Sequence, residues 1–203
     1  VVIPETKPIY LKTIQKAKKF FWWLSVDNYY VATARSFGRR LGFTRKQAYF
    51  FKEKIHLIDY TRYLLKNDVI HLVQSEYAKQ NALGLGVPES RIHMLSDYIN
   101  PVFIDNARRN MKRYKRENLV LYNPRKGLKF TKKLMKKMKE VKWIPLQGFS
   151  REEVSDIMLK AKVYVDFGNH PGKDRIPREA AISGCCIVTG KDGSAFYQKD
   201  VNI

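Results

Sequence analysis

Residues 163–190 read VYVDFGNHPGKDRIPREAAISGCCIVTG, and this stretch decides the fold class. Its β-branched, apolar opening, VYVD, reads as a buried strand, and its closing CCIVTG reads as a second. Between them lies a helix. We place its start near Pro177, whose fixed φ and missing N–H suit a first turn, and its end at Gly184, a natural helix stop. The loop before it, GNHPGKD, is rich in glycine and charge, and it sits where a strand's carboxyl end meets a helix amino terminus, a ready seat for phosphate. Most loops of this kind in α/β proteins bind nothing, so a purely structural loop stays open as the alternative. Glu179 falls in the first turn of the expected helix, where its charge favours the dipole without any ligand. A carboxylate there also suits a bidentate hydrogen bond to a ribose diol, and Lys173, Arg175 and Arg178 crowd around it in sequence.

Outward from this unit, strands and helices alternate along the whole chain. VVIP, KFFWWLSV, VIHLVQS and RIHMLSD read as strands, PIYLKTIQKAKK and SEYAKQNALGLG as helices, and residues 35–67 as mostly helical, with Phe50, Ile55, Ile58 and Leu65 at roughly helical spacing. After a basic segment, NLVLY is a strand, followed by a helix to Glu140, the strand VKWIPL, the turn QGFS, and a helix capped by Ser150 with Glu153 three residues on, a capping box. The near-continuous apolar strands predict parallel sheets covered on both faces, a doubly wound α/β architecture. NLVLY delivers Asn123, Pro124, Arg125, Lys126 and Gly127 into a turn where cations can hold a diphosphate by charge-assisted hydrogen bonds. A plain β-to-α turn with its lysines in water is the alternative.

Composition adds a strong electrostatic signal. Among 203 residues there are 39 Lys and Arg against 19 Asp and Glu, a formal net charge of +20, spread over residues 12–19, 35–46, 108–116 and 126–142. Each patch alone reads equally as a solvated helix face. Together, and interleaved with Phe20, Trp22, Tyr49, Phe50 and Phe51, they predict a polyanionic partner or surface: nucleic acid, phosphate-bearing substrates or an anionic membrane surface, which the interleaved aromatics suit. No run of eighteen apolar residues and no signal-peptide layout is present, so a cytoplasmic protein, peripheral at the inner face of the membrane, is expected. Cys185 and Cys186 are neighbours in a strand, pointing to opposite faces, and read as small buried hydrophobes rather than as a disulfide or metal ligands.

The segment DFGNHPGKDRIPREAAISGCCIVTG resembles the donor-binding signature of GT-B glycosyltransferases, especially the retaining, family four-like bacterial sugar-nucleotide transferases of surface-polysaccharide synthesis. Pro177, Glu179, Ala180, Ala181, Gly184 and the CIVTG strand match it. The signature carries two glutamates seven residues apart, whereas Pro171 stands eight positions before Glu179 here. The resemblance therefore assigns ribose binding to Glu179 and leaves the place of the earlier glutamate to His170, Gly172 and Lys173. HLVQSEYAKQNALGLGVPESRIHMLSDYINPVF resembles the end of the family's amino-terminal domain. SVDNY, residues 25–29, then borders the acceptor side as a strand end, with Asp27 near a position where relatives carry a functional His-Asp pair; a surface turn at Asp27 and Asn28 is the alternative. The turn NPRKG resembles the family's G-R-x-x-x-K-G, with Lys126 and Gly127 matching its end, Asn123 in place of the first glycine and Arg125 standing near the usual arginine.

The resemblance implies a GT-B arrangement of two Rossmann-like domains: residues 1–100 as the latter part of an acceptor-side domain, 101–117 as a basic linker or exposed helix, and 118–203 as the domain binding a nucleoside-diphosphate sugar. The chain is expected to be a fragment of a longer protein, its first domain lacking the opening strands that relatives use. The expected activity is metal-independent glycosyl transfer from a nucleotide-sugar donor to a saccharide or lipid-linked acceptor, with no cofactor and no nucleic acid. Asp27, Lys126 and Glu179 are the expected catalytic residues; Asn123, Arg125, Lys126, Gly172, Lys173, Arg175, Arg178 and Glu179 are the expected donor-binding set. A basic nucleic-acid-binding protein and a non-catalytic GT-B-like scaffold are the competing classes, the first disfavoured by the lack of an RNP-type stacking motif, a zinc ligand set or a KH loop.

Overall fold

The computed structural model describes residues 1–40 and 60–201. The chain divides into two units, Val1–Asp97 with Pro171–Lys173, and Tyr98–His170 with Asp174–Ile203. Each holds a four-stranded, all-parallel sheet flanked by helices.

In the first unit β1 (Val2–Pro4), β2 (Lys19–Trp23), β3 (Val69–Val73) and β4 (Ile92–Met94) lie side by side in chain order. Phe21 and Trp23 from β2 meet edge to face, their centroids 4.9 Å apart, and Tyr29 of α2 (Val26–Arg40) packs 4.9 Å from Trp23. These aromatics with Leu11, Leu64 and Val69 make the core. At the start of β2, Lys19 is buried and ion-paired to Asp68. The helix expected over residues 8–19 exists only as α1 (Tyr10–Thr13). The adjacent β-branched pair Thr13 and Ile14 disfavours continuation, and Ile14 is already extended at φ −86°, ψ 116°. The strand end or turn expected at SVDNY is instead the start of α2: Ser25 Oγ accepts the Asn28 N–H at 3.2 Å, an N-cap, and Asp27 lies in the first turn. Of the segment expected to be helical over 35–67, residues 35–40 close α2 and α3 (Thr61–Leu64) lies near its other end. Residues 41–59, with Tyr49, Phe50, Phe51, Ile55 and Ile58, lie outside the described residues. Ser75 caps α4 (Glu76–Gly84), accepting from the Ala78 N–H at 3.0 Å.

The second unit opens with α5 (Pro101–Asn110), followed by β5 (Glu117–Tyr122), α6 (Leu128–Lys137), β6 (Lys142–Pro145), α7 (Arg151–Lys160), β7 (Ala161–Asp166), α8 (Arg175–Ile182) and β8 (Cys186–Thr189), with strand order β6-β5-β7-β8. The segment expected as a basic linker or exposed helix is helical over Pro101–Asn110, with Arg108 and Arg109 exposed and one side of the helix buried. Phe103 of α5 is buried with Leu121, Met158, Tyr164 and Ala180, Ala107 is buried as well, and burying a side chain such as Phe103 contributes about 1.5–3 kcal/mol, which ties α5 to this unit. The expected capping box forms, with Ser150 Oγ accepting the Glu153 N–H and the Glu153 carboxylate accepting the Ser150 N–H. Cys185 is buried, and burial pushes its thiol up to about 11, whereas Cys186 is exposed. The expectation of two buried cysteines therefore fails for Cys186, which opens β8, the last strand in the order β6-β5-β7-β8, where alternate residues stay exposed. No described helix is long and apolar enough to cross a membrane.

Candidate functional site at the carboxyl edge of the second sheet

In an open parallel sheet, chemistry gathers at the loops beyond the strands' carboxyl ends. Three such loops interlock here. After β5, the Asn123 side chain accepts the Arg125 N–H at 3.0 Å and its carbonyl accepts the Lys126 N–H at 3.3 Å, closing a tight turn. The turn ends at Gly127, with φ +59°, where a Cβ would strike the Phe167 carbonyl and come within 2.8 Å of the Gly168 nitrogen. Gly168, in the loop after β7, lies flat against the Lys126 side chain. After β8, Gly193 with φ +59° presses on the His170 carbonyl, which also accepts the Ser194 N–H at 2.8 Å. The position of Lys126 is thus fixed by backbone packing.

Around Lys126 the charges are organised. Its ammonium pairs with Asp174 and donates to the Asn169 carbonyl at 3.1 Å. His170 Nδ1 is 2.9 Å from the same Asp174 carboxylate, while its Nε2 lies 3.4 Å from the Asp166 carbonyl and 3.9 Å from the Asp166 carboxylate. Asp166 in turn accepts from the Tyr164 hydroxyl at 3.0 Å and the Gly168 N–H at 3.1 Å. Burial opposes the imidazolium of His170, but the Asp174 hydrogen bond and the charges of Asp166 and Asp174 outweigh it and raise its pKa. Burial likewise works to raise Asp174, yet hydrogen bonds from His170 and Lys126 hold it below the usual carboxylate range. The ligand atoms of Asp166, His170 and Asp174 all lie within 4.8 Å of one another, so these are the described residues best placed to hold a metal. A metal there has to contend with the Lys126 ammonium for Asp174.

The next element, α8, begins at Arg175 rather than near Pro177. Proline is tolerated as the third helical residue because no first-turn N–H has an intrahelical acceptor. Glu179 is consequently the fifth residue, and no acid stands in the first turn. The dipole explanation for Glu179 lapses with that shift, since the effect fades beyond the first turn. Asp174 occupies the N-cap but no side chain caps the helix; its carboxylate is turned to Lys126 and His170 instead. Beside these first turns is a cavity of about 240 Å³, lined by Arg175, Ile176 and Glu179, by Phe149, Ser150 and Arg151 from the end of the β6 loop, and by Asn100, Phe103, Leu146 and Val154. It offers two aromatic rings, two guanidinium groups and a carboxylate.

The structure thus gathers Asn123, Arg125 and Lys126 in one turn, and Arg175 with Glu179 in one cavity; Arg178 does not line that cavity. Gly172 and Lys173 group with the first unit, as does Asp27, which accepts a long hydrogen bond from the Tyr77 hydroxyl at 3.4 Å. Sequence reasoning missed Asp166, Asp174, Phe149 and Arg151. The regular spacing Asp166, His170, Asp174 was the available signal for the first two. In the first unit it also missed Glu5, directly after β1, which is buried, accepts the Leu24 N–H at 3.3 Å, and has its pKa raised by burial against the hydrogen bonds it receives.

No protein-family model matches the chain, and no curated protein matches it. Among solved structures it is similar to Anabaena Alr3699/HepE in complex with UDP-glucose, with a TM-score of 0.51 at 10% sequence identity over 96% of this chain. The HepE structure in complex with UDP and glucose gives a TM-score of 0.45 at 11% identity, covering 93% of this chain and 63% of that one. The chain spans 61% of the HepE chain in the first comparison. At this identity the likeness speaks for the fold. The chain has a GT-B-like α/β fold, with two Rossmann-like units on parallel sheets.

Proposed function

We propose that the second unit binds the nucleoside diphosphate of a sugar donor and that the chain belongs to a glycosyltransferase of the retaining, family four-like kind, serving cell-surface polysaccharide synthesis at the inner face of the membrane. The observation that carries this reading is the start of α8. Its N-cap carboxylate is committed to Lys126 and His170, so no side chain caps a helix end that favours anions, and the same turns line a cavity holding Glu179. The pyrophosphate lies at that helix end beside Lys126 and Arg175, Glu179 takes the ribose diol, and the base enters beside Phe149. Catalysis is mainly electrostatic: cations held before the reaction stabilise charge as it builds on the leaving diphosphate. No metal is required in this scheme, because Lys126 supplies the charge.

Asp174 gives the site an exchange partner. When Lys126 turns to the phosphates, His170 keeps the half-buried Asp174 carboxylate paired. Asp27 is assigned to the acceptor side, toward a saccharide or lipid-linked hydroxyl. Melting of the chain with UDP, GDP, dTDP, ADP and CMP tests the donor site, since a ligand that binds the native state alone raises apparent stability. UDP is the first expectation, because the similar HepE structure holds UDP-glucose. Glu179→Ala is expected to abolish the shift and Lys126→Ala to weaken it. A folded sample that responds to none of the five overturns the assignment.

A further inference from the structure

Helix α5 has a second face that the donor site does not use. Ile104, Ala107 and Met111, with Ile182 from the end of α8, floor a cavity of about 670 Å³, and Arg108, Arg109, Lys112 and Arg113 rim it. Its size falls within the roughly 300–1,000 Å³ usual for ligand sites. Met111 is 39% exposed, an apolar side chain open to water among exposed cations. No residue lining the cavity is acidic. Arg109 donates to the Asp105 carbonyl at 3.2 Å and Arg113 to the Asn110 side-chain oxygen at 3.4 Å, uncharged acceptors that leave both guanidinium charges unneutralised by these bonds.

An occupant must be apolar where it meets the floor and anionic where it meets the rim. We propose that this groove docks on an anionic phospholipid surface, with phosphate headgroups on the arginine rim and the upper acyl region on Ile104, Met111 and Ile182. Three of the four rim cations are arginine, whose planar fork matches phosphate in a way lysine does not. The same unit adds long-range attraction: α6 exposes Lys129, Lys132, Lys133, Lys136 and Lys137 and contains no acidic residue. The groove is separate from the Glu179 cavity and shares no residue with it, so the proposal stands whether or not a nucleotide binds.

Co-sedimentation of the full chain with vesicles decides it. One set is pure phosphatidylcholine and the other contains a quarter phosphatidylglycerol, both at physiological salt. The wild type is expected to sediment with the anionic set alone. Each cation near an anionic surface changes partitioning about fivefold, so Arg108→Gln, Arg109→Gln and Arg113→Gln together should lower it on the order of a hundredfold. Met111→Ser with Ile182→Ser, which leave the charge unchanged, should weaken it several-fold. Lys132→Gln, Lys133→Gln and Lys136→Gln remove the same charge from α6 and should cost clearly less than the arginine triple; melting curves and circular dichroism establish that each variant folds. Equal losses from the two triples overturn the groove in favour of diffuse charge, as does an apolar pair without effect. Failure of the wild type to bind the anionic vesicles, with tight binding of an acidic amphipathic peptide instead, overturns the lipid in favour of a protein partner.

Discussion

Acidification should strip stability from the first unit, and His71 is a residue through which it does so. It lies in the middle of β3 and is fully buried. The Trp23 indole N–H donates to His71 Nδ1 at 2.9 Å, and His71 Nε2 donates to the Leu64 carbonyl at 3.1 Å. Both ring nitrogens are therefore used by the neutral form, and a second proton would confront the indole N–H. Burial, joined by the charge of Arg91 and opposed by the Leu64 hydrogen bond, lowers the pKa from 6.5 to about 4. A depressed folded pKa means that the unfolded chain binds the proton first, so stability present above pH 6.5 is lost as the pH falls toward 4. Relative to pH 8 the loss is about 2 kcal/mol at pH 5 and about 3 kcal/mol at pH 4. That is a large share of the ~5–15 kcal/mol that holds a typical domain. His71→Gln keeps an acceptor toward Trp23 and a donor toward Leu64 but does not titrate. Urea unfolding at pH 8 and pH 5, followed by tryptophan fluorescence, should show the variant about 1 kcal/mol weaker at pH 8 and level with or above the wild type at pH 5. Glu5 and His170, whose pKa values are raised, act in the opposite sense, and Asp68 and Asp174, whose values are lowered, act in the same sense. All four are common to both proteins and cancel in the difference. A gap that stays constant between the two pH values would refute the assignment of a neutral, doubly bonded His71.

Three further outcomes test the site and its surroundings. Gly127→Ala combines a positive φ with a backbone collision and should cost about 2–4 kcal/mol in urea unfolding, whereas Gly148→Ala, at φ +82° with open space around it, should cost only ~1 kcal/mol; equal costs would mean that the loops after β5 and β7 do not interlock. Asp174→Asn removes the anion that competes for Lys126, so UDP should bind roughly fivefold tighter by calorimetry, and weaker binding would show that Asp174 serves the nucleotide directly. Glu5→Gln removes a buried charge, so it should raise the melting temperature at pH 7.5 and lose that advantage below pH 4.5, where the wild-type carboxyl is protonated in both states; destabilisation at pH 7.5 would mean that the charge is needed.

The fold was legible in its strands because parallel strands are buried on both faces and leave long apolar runs. KFFWWLSV, VIHLVQS and NLVLY could be read as strands from hydrophobicity alone, and strands form at KFFWW, VIHLV and ENLVLY, the first two stopping short of their expected ends. Helix limits were less legible because local rules compete. At residues 8–19 the basic-apolar pattern argued for three turns, but Thr13 and Ile14 ended the helix after one. At 101–117 the cations masked the inward face of α5, where only Phe103 and Ala107 signal burial. At α8 the proline marked the first turn correctly but not the first residue, a difference of two positions that moves Glu179 out of the helix dipole's reach.

The site was legible as a list of cations and one carboxylate, and what the list lacked was the reason they stay in place. Lysine on a turn is ordinarily a solvated point charge. Lys126 is held because Gly127 and Gly168 bring two loops into backbone contact, and because Asp174 gives up capping α8 to pair with it. Neither fact is local in sequence: Lys126 and Asp174 are 48 residues apart. The same exchange explains why His170 belongs with them. A half-buried carboxylate that must release a lysine to a ligand needs a second donor to stay paired, and His170, drawn toward its protonated form by that carboxylate, is that donor. The cluster therefore acts as one unit, and replacing Lys126, Asp174 or His170 singly should disturb the other two.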